Sequence, residues 1–244
     1  MATLGLVLLL AALPILFFLT SRAKAGKAAP LRPLKGLQEL SGSVERSAET
    51  GLPLHISVGV AGVGGAATSE TWAGLTLLAE LADKAASCHV PLVVTVADPT
   101  VLPLAQNIVR RAYARNGAPE VYDASSIRFV APTPLAYAVG VMGVLDREPL
   151  AGNVMVGSFG DEVLFMGETG ARLGMYQLAG ASEPTTLPLI QASADDTLLG
   201  EEIFAGGAYT RRLPIQIGSL LTADWLRWAV ILAMVLLAAA KLVA

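Results

Sequence analysis

Two glycine-bearing loops hold the residue types that could bind an anion. Gly59 to Gly65 reads GVAGVGG, and Gly157 to Gly160 reads GSFG. Glycine lets a backbone turn sharply, and N–H groups at the start of a helix attract negative charge. Gly62-Val63-Gly64-Gly65-Ala66-Ala67 fits the G-x-G-x-x-G/A dinucleotide pattern. Asp98, placed at the end of the next strand, is where a carboxylate meets a ribose hydroxyl. Two features oppose that chemistry. The loop exceeds the tight turn the motif needs, and Asp98 lies more than 30 residues beyond Gly64 rather than about 20.

Val156-Gly157-Ser158-Phe159-Gly160 narrowly misses the G-x-S-x-G nucleophile elbow, because Val156 replaces the first glycine. That elbow also needs a later histidine, yet His55 and His89 both precede Ser158. Ser158 therefore reads as a helix N-cap. Cys88 and His89 are adjacent and have no partners at metal-ligand spacing. His55, inside a strand, reads as a satisfied core or edge residue. Asp195-Asp196 and Glu201-Glu202 form an acidic cluster. Such carboxylates bind a cation or carry a raised pKa, but helix N-terminal chemistry is the simpler reading. The candidate ligand set is Gly59, Gly62, Gly64, Gly65, Asp98, Gly157, Ser158, Asp195 and Glu201. It sits with Gly180-Ala181-Ser182 at the expected carboxyl ends of the strands. No catalytic set, metal site or particular cofactor emerges.

The elements that position these residues alternate in period. Short apolar runs are expected as strands at 54–58, 92–97, 127–130, 153–156, 175–178 and 189–192. Helical patterns cover 37–50, 68–88, 101–116, 133–146, 161–173 and 196–208. In the second helix Trp72, Leu75, Ala79, Ala82 and Ala86 share a face, and Glu80–Lys84 is an i,i+4 pair. Strand followed by helix, repeated, calls for a Rossmann-like, mostly parallel sheet with helices on both faces. The run from Phe129 to Leu145 is uncharged. Pro132 and Pro134 interrupt it, so a buried domain helix is preferred to a membrane span. Gly140 and Gly143 would let it pack closely.

Each end carries an apolar segment. Ala2 to Thr20 has no charged side chain, and a second segment runs from Trp225 to Val243. Runs of this length cross a hydrocarbon core of about 30 Å. Thr222 is placed as N-cap of the second, with Trp225 and Trp228 at the interface. Arg22, Lys24, Lys27, Arg32 and Lys35 follow the first segment; Arg211, Arg212 and Arg227 face Lys241 across the second. The positive-inside rule then puts the middle in the cytoplasm and both termini outside. A cleaved signal peptide is the rival, since Ala23-Lys24-Ala25 resembles a cleavage site. The basic cluster lies on the wrong side for one. The expected organisation is a transmembrane helix at 1–21, a basic juxtamembrane linker at 22–35, an α/β domain at 36–220 and a second transmembrane helix at 221–244.

The chain is acidic, with a formal net charge of −3, and its only cysteine excludes an internal disulfide. Between Gly36 and Leu220 the balance falls to −9. An acidic domain repels phosphate backbones, so no nucleic acid is expected as partner.

Four segments carry a resemblance. They are VGGAATSETWAGLTLLAELADKAA (63–86), VTVADPTVLPLAQNIVRRAY (94–113), VGSFGDEVLFMGETGARLGMYQLAG (156–180) and DTLLGEEIFAGGAY (196–209). They resemble an uncharacterised prokaryotic family, of Chloroflexi type, with a membrane-anchored domain of unknown function. The resemblance implies a bacterial membrane protein and carries over no reaction, ligand or catalytic residue.

Two functions follow as expectations. The first is a non-catalytic binding or scaffold module of a membrane assembly, with the lipid bilayer and other subunits, or a second copy, as partners. The alternative is a membrane-tethered nucleotide- or dinucleotide-binding protein or enzyme using the glycine-rich crevice.

Overall fold

The computed structural model describes the backbone of residues 2–25, 34–210 and 214–243. Side chains at 2–12, 210, 216, 232, 233 and 236–243 are outside the description. So are Lys27, Arg32, Arg211 and Arg212, the side chain of Lys241, and with them much of the charge pattern used for topology. In chain order the elements are α1 (Ala2–Lys24), α2 (Lys35–Thr50), β1 (Leu54–Gly59), α3 (Thr68–Ser87), β2 (Leu92–Val96), α4 (Leu102–Arg115), β3 (Ile127–Phe129), α5 (Pro134–Arg147), β4 (Gly152–Ser158), α6 (Val163–Arg172), β5 (Tyr176–Ala181), α7 (Leu187–Ser193), β6 (Asp196–Leu199), α8 (Gly206–Thr210) and α9 (Pro214–Val243). They group into two compact units, residues 33–206 and residues 1–32 with 207–244.

The larger unit is a six-stranded sheet of order β3-β2-β1-β4-β5-β6, with every pairing parallel. This is the doubly wound order, which reverses direction between β1 and β4. Strand periodicity sorts the side chains onto two unlike faces. Leu54, Ile56 and Val58 of β1 share one face with Leu92, Val94, Val96, Val154, Val156, Leu178 and Leu198, all buried. The other face alternates polar with apolar. There His55, Ser57, Thr95, Asn153 and Gln177 lie among Val93, Met155 and Ala179, under α5, α6 and α7. Helix ends follow local chemistry. Gly51, Gly117 and Gly174 take left-handed conformations just past α2, α4 and α6. Proline stands in the first turn of α4, α5 and α7.

Several expectations change. Residues 189–192 are part of helix α7, not a strand, and 196–199 form strand β6, not the start of a helix. Pro188 preorganises the α7 turn, while Asp196–Leu199 gains its ladder from β5. A 3-10 segment, Gly200–Ala205, and short α8 complete what was expected as one helix. Trp72 is exposed, whereas Leu75, Ala82 and Ala86 are buried. Lys84 binds Glu45 and the Ser41 carbonyl across α2. Gly140 admits Val130 at close range, but the space over Gly143 is open. Leu135 and Val139 of α5 are 59% and 60% exposed, so the apolar helix is covered on one side only.

In the smaller unit α1 packs against α9. A β-carbon on Gly218 would lie 2.3 Å from Thr20 Oγ1 and 3.0 Å from Thr20 Cα, so glycine permits the helices to touch. Thr222 is inside α9 rather than its N-cap, and its hydroxyl donates to the Gly218 carbonyl at 2.7 Å. The two expected terminal helices are present. Among the described residues, however, no helix is long and apolar enough to cross a membrane.

Candidate crevice at the strand switch point

Where strand order reverses, the loops after β1 and β4 diverge and open a crevice. A cavity of about 270 Å³ occupies it. Ala66, Ala67 and Glu70 at the start of α3 line one wall. Ser158, Phe159 and Gly160 form the second, and Ser182 and Glu183 after β5 form the third.

Glycine positions this mouth by close approach. A β-carbon on Gly59 would lie 2.6 Å from the Ser158 backbone, and one on Gly157 would lie 2.2 Å from the Val58 carbonyl oxygen. Gly74, on the inner face of α3, would meet the Val156 carbonyl at 2.5 Å. All three glycines draw α3, β1 and β4 together at one seam. Gly74 was missed by motif reasoning. A glycine inside a helix costs about 1 kcal/mol relative to alanine, and that cost was the available signal.

The remaining candidates separate. Gly62 abuts the Asp98 carboxylate. Asp98 Oδ1 accepts from Thr100 N at 2.8 Å and from Thr100 Oγ1 at 2.5 Å. Thr100 Oγ1 in turn accepts from Val63 N at 3.1 Å. The Gly64 N–H donates to Thr68 Oγ1 at 2.9 Å. Two of the loop's N–H groups are thereby tied to side chains of the protein itself. Gly64 and Gly65 stand at the exposed tip with open space above them. Ser158 closes β4 and lines the cavity; it is not the cap of α6, where Glu162 stands and accepts from the Gly160 N–H at 2.7 Å. Asp195 sits before β6, at the amino ends of the parallel strands and so away from the crevice at their carboxyl ends, and accepts from Gln177 N at 2.8 Å. Asp196 pairs with Lys35 at 2.7 Å and accepts from Tyr176 Oη at 3.1 Å. Glu201 follows β6, and Glu202 accepts from Leu199 N at 3.1 Å. The acidic cluster of the sequence is thus divided between the two ends of β6.

The chemistry of the crevice follows from its carboxylates. Glu70 occupies the first turn of α3 and accepts from Ser182 Oγ at 2.5 Å. Glu183 adds a second carboxylate on the rim. No Lys or Arg is among the lining residues. Negative charge at a helix N-terminus already answers the helix dipole and disfavours a phosphate there. Among the described residues no group of three His, Cys, Asp or Glu is placed to hold a metal ion.

Strand order and crevice together define a doubly wound, Rossmann-like α/β protein. The chain belongs to the family described as Domain of unknown function (DUF6754), whose sequence profile matches residues 2–244. No curated protein matches it, and no solved structure does.

Proposed function

We propose that this chain is a membrane-anchored α/β protein that acts as a non-catalytic binding or scaffold module of a membrane assembly. One observation carries the binding reading. The switch-point crevice is lined by Glu70 and Glu183 together with Ser158 and Ser182, the last donating to Glu70, and no lining residue is a cation. A site of that charge favours cationic or neutral hydrogen-bonding groups over phosphates. The anchoring reading rests on the uncharged run Ala2–Thr20, on Arg22 and Lys24 after it, and on the exposed Trp225 and Trp228 of α9. In this reading the protein passes the bilayer twice, with the larger unit cytoplasmic and both termini external. Leu135 and Val139 are then covered by a second copy or another subunit.

The doubly wound order and Asp98 at the end of β2 favour a second reading, nucleotide or dinucleotide binding. Thermal unfolding of the full-length protein with a panel of nucleotides and dinucleotides separates the two. We expect no stabilisation. A rise in Tm that Gly64→Val abolishes would replace the first reading by the second. Topology reporters test the anchor: one after Ala244 should read external and one at Asn116 cytoplasmic, and the reverse pattern overturns the orientation.

A further inference from the structure

The polar row on the sheet face under α5, α6 and α7 is a continuous hydrogen-bonded chain, and its direction can be assigned by elimination. Gln177 Nε2 lies 2.7 Å from the Gly167 carbonyl and 2.8 Å from the Ser193 carbonyl. Carbonyls only accept, so this atom is the amide nitrogen. Gln177 Oε1 therefore accepts from Asn153 Nδ2 at 3.0 Å. Asn153 Oδ1 is left to accept from His55 Nδ1 at 2.7 Å, which places a proton on Nδ1. In the neutral imidazole Nε2 is then bare, and it accepts from Thr95 Oγ1 at 3.0 Å. Thr95 Oγ1 accepts from Tyr137 Oη at 2.7 Å, and Tyr137 Oη accepts from Ser57 Oγ at 2.6 Å.

One further distance changes what this chain can do. Tyr137 Oη also lies 3.1 Å from the Thr95 carbonyl oxygen. Consider a proton arriving at Nε2. The new N–H donates to Thr95 Oγ1. The Thr95 hydroxyl turns and donates to Tyr137 Oη. The Tyr137 hydroxyl turns and donates to the Thr95 carbonyl. Every donor keeps an acceptor, and no heavy atom moves. We infer that His55 is a buried proton-binding switch, neutral as the Nδ1–H tautomer and charged by a proton at Nε2 through reversal of the Thr95 and Tyr137 hydroxyls.

The surroundings set how acidic the medium must be for this to happen. Burial lowers the His55 pKa to about 4, while the Asn153 hydrogen bond opposes that fall. Glu148 and Arg128 act on the imidazole in opposite senses, and they are ion-paired with each other. Glu162 acts on Tyr137, whose pKa burial raises to about 12, so the phenol remains a proton donor throughout. From α6 and α7 the chain meets the backbone carbonyls of Gly167 and Ser193. The switch sits on β1 and β4, the two strands that part at the crevice.

The chain has two histidines, so 15N-histidine labelling of the full-length His89→Gln protein isolates the His55 signals. We expect a protonated Nδ1 and a bare Nε2 at neutral pH. Acidification should protonate Nε2 while the near-UV circular dichroism stays constant through that titration. Thr95→Val removes the acceptor and should lower the midpoint by about one pH unit or more, with Thr95→Ser restoring it. A bare Nδ1 at neutral pH overturns the inference. So does near-UV signal lost with the midpoint of the imidazole titration, or an unchanged midpoint in folded Thr95→Val. Should Thr95→Val fail to fold, the tautomer and the near-UV signal of the protein with Thr95 intact decide the matter alone.

Discussion

Gly62 and Asp98 are in direct contact: a β-carbon on Gly62 would lie 2.4 Å from the carboxyl carbon of Asp98. The two residues that most suggested a dinucleotide site instead close on each other, with Thr100 as the clasp between loops. Gly62→Val should force the loops apart and destabilise the protein by about 1–3 kcal/mol, as overpacking does. Chemical unfolding measures this. An unchanged midpoint would show that the loops are not held together in solution.

Acid should weaken the fold through His55. Its folded pKa, about 4, is below the ordinary value of 6.5. Its contribution is therefore complete above pH 6.5 and declines as pH falls toward 4. The full decline is about 3 kcal/mol. His55→Asn should flatten the dependence of stability on pH across that window. Equal slopes in both proteins would remove His55 as the cause.

The seam between helix and strands should be intolerant of bulk. Gly74→Ala places a β-carbon 2.5 Å from the Val156 carbonyl oxygen and 3.1 Å from that of Val58. Alanine has the higher helix propensity by about 1 kcal/mol, so the expected loss of 1 kcal/mol or more runs against propensity. A more stable Gly74→Ala protein would mean that α3 can shift outward.

Gly218 makes the parallel test in the smaller unit. Gly218→Leu cannot keep the contact with Thr20, so limited proteolysis should cut α1 or α9 faster than in the unchanged protein. Identical cleavage rates would indicate that α1 and α9 do not depend on this approach.

The exposed ridge of α5 offers a test of self-association. With Cys88→Ser removing the natural thiol, Val139→Cys should give crosslinked dimers in native membranes. Monomer alone from folded protein would leave the ridge facing solvent or a different partner.

The fold was largely legible because strands β1 to β5 and helices α2 to α6 repeat their own periods. The strand expected at 189–192 failed because a short, mostly apolar run suits either element, and only Pro188, in the first turn of α7, distinguished them. Asp196–Leu199 failed because two aspartates mimic a helix start, while its strand pairing comes from β5. The candidate crevice was less legible. Ser158 and Ser182 fell at strand ends, but Glu70 and Glu183 became neighbours only through strand order, which local pattern does not encode. The same holds for His55 and Asn153, two polar residues in apolar runs whose pairing depends on β1 lying beside β4.

That pairing also sets a timetable. His55 and Asn153 are 98 residues apart in the chain. At a synthesis rate of roughly 5–20 residues per second, β1 waits about 5–20 s before β4 is made. β2 emerges in the meantime and can cover one flank of β1, with β3 adding to β2. Its other flank stays an open edge, with an imidazole facing no amide. The nascent chain thus passes through a half-sheet whose free margin is the strand that becomes central in the finished sheet.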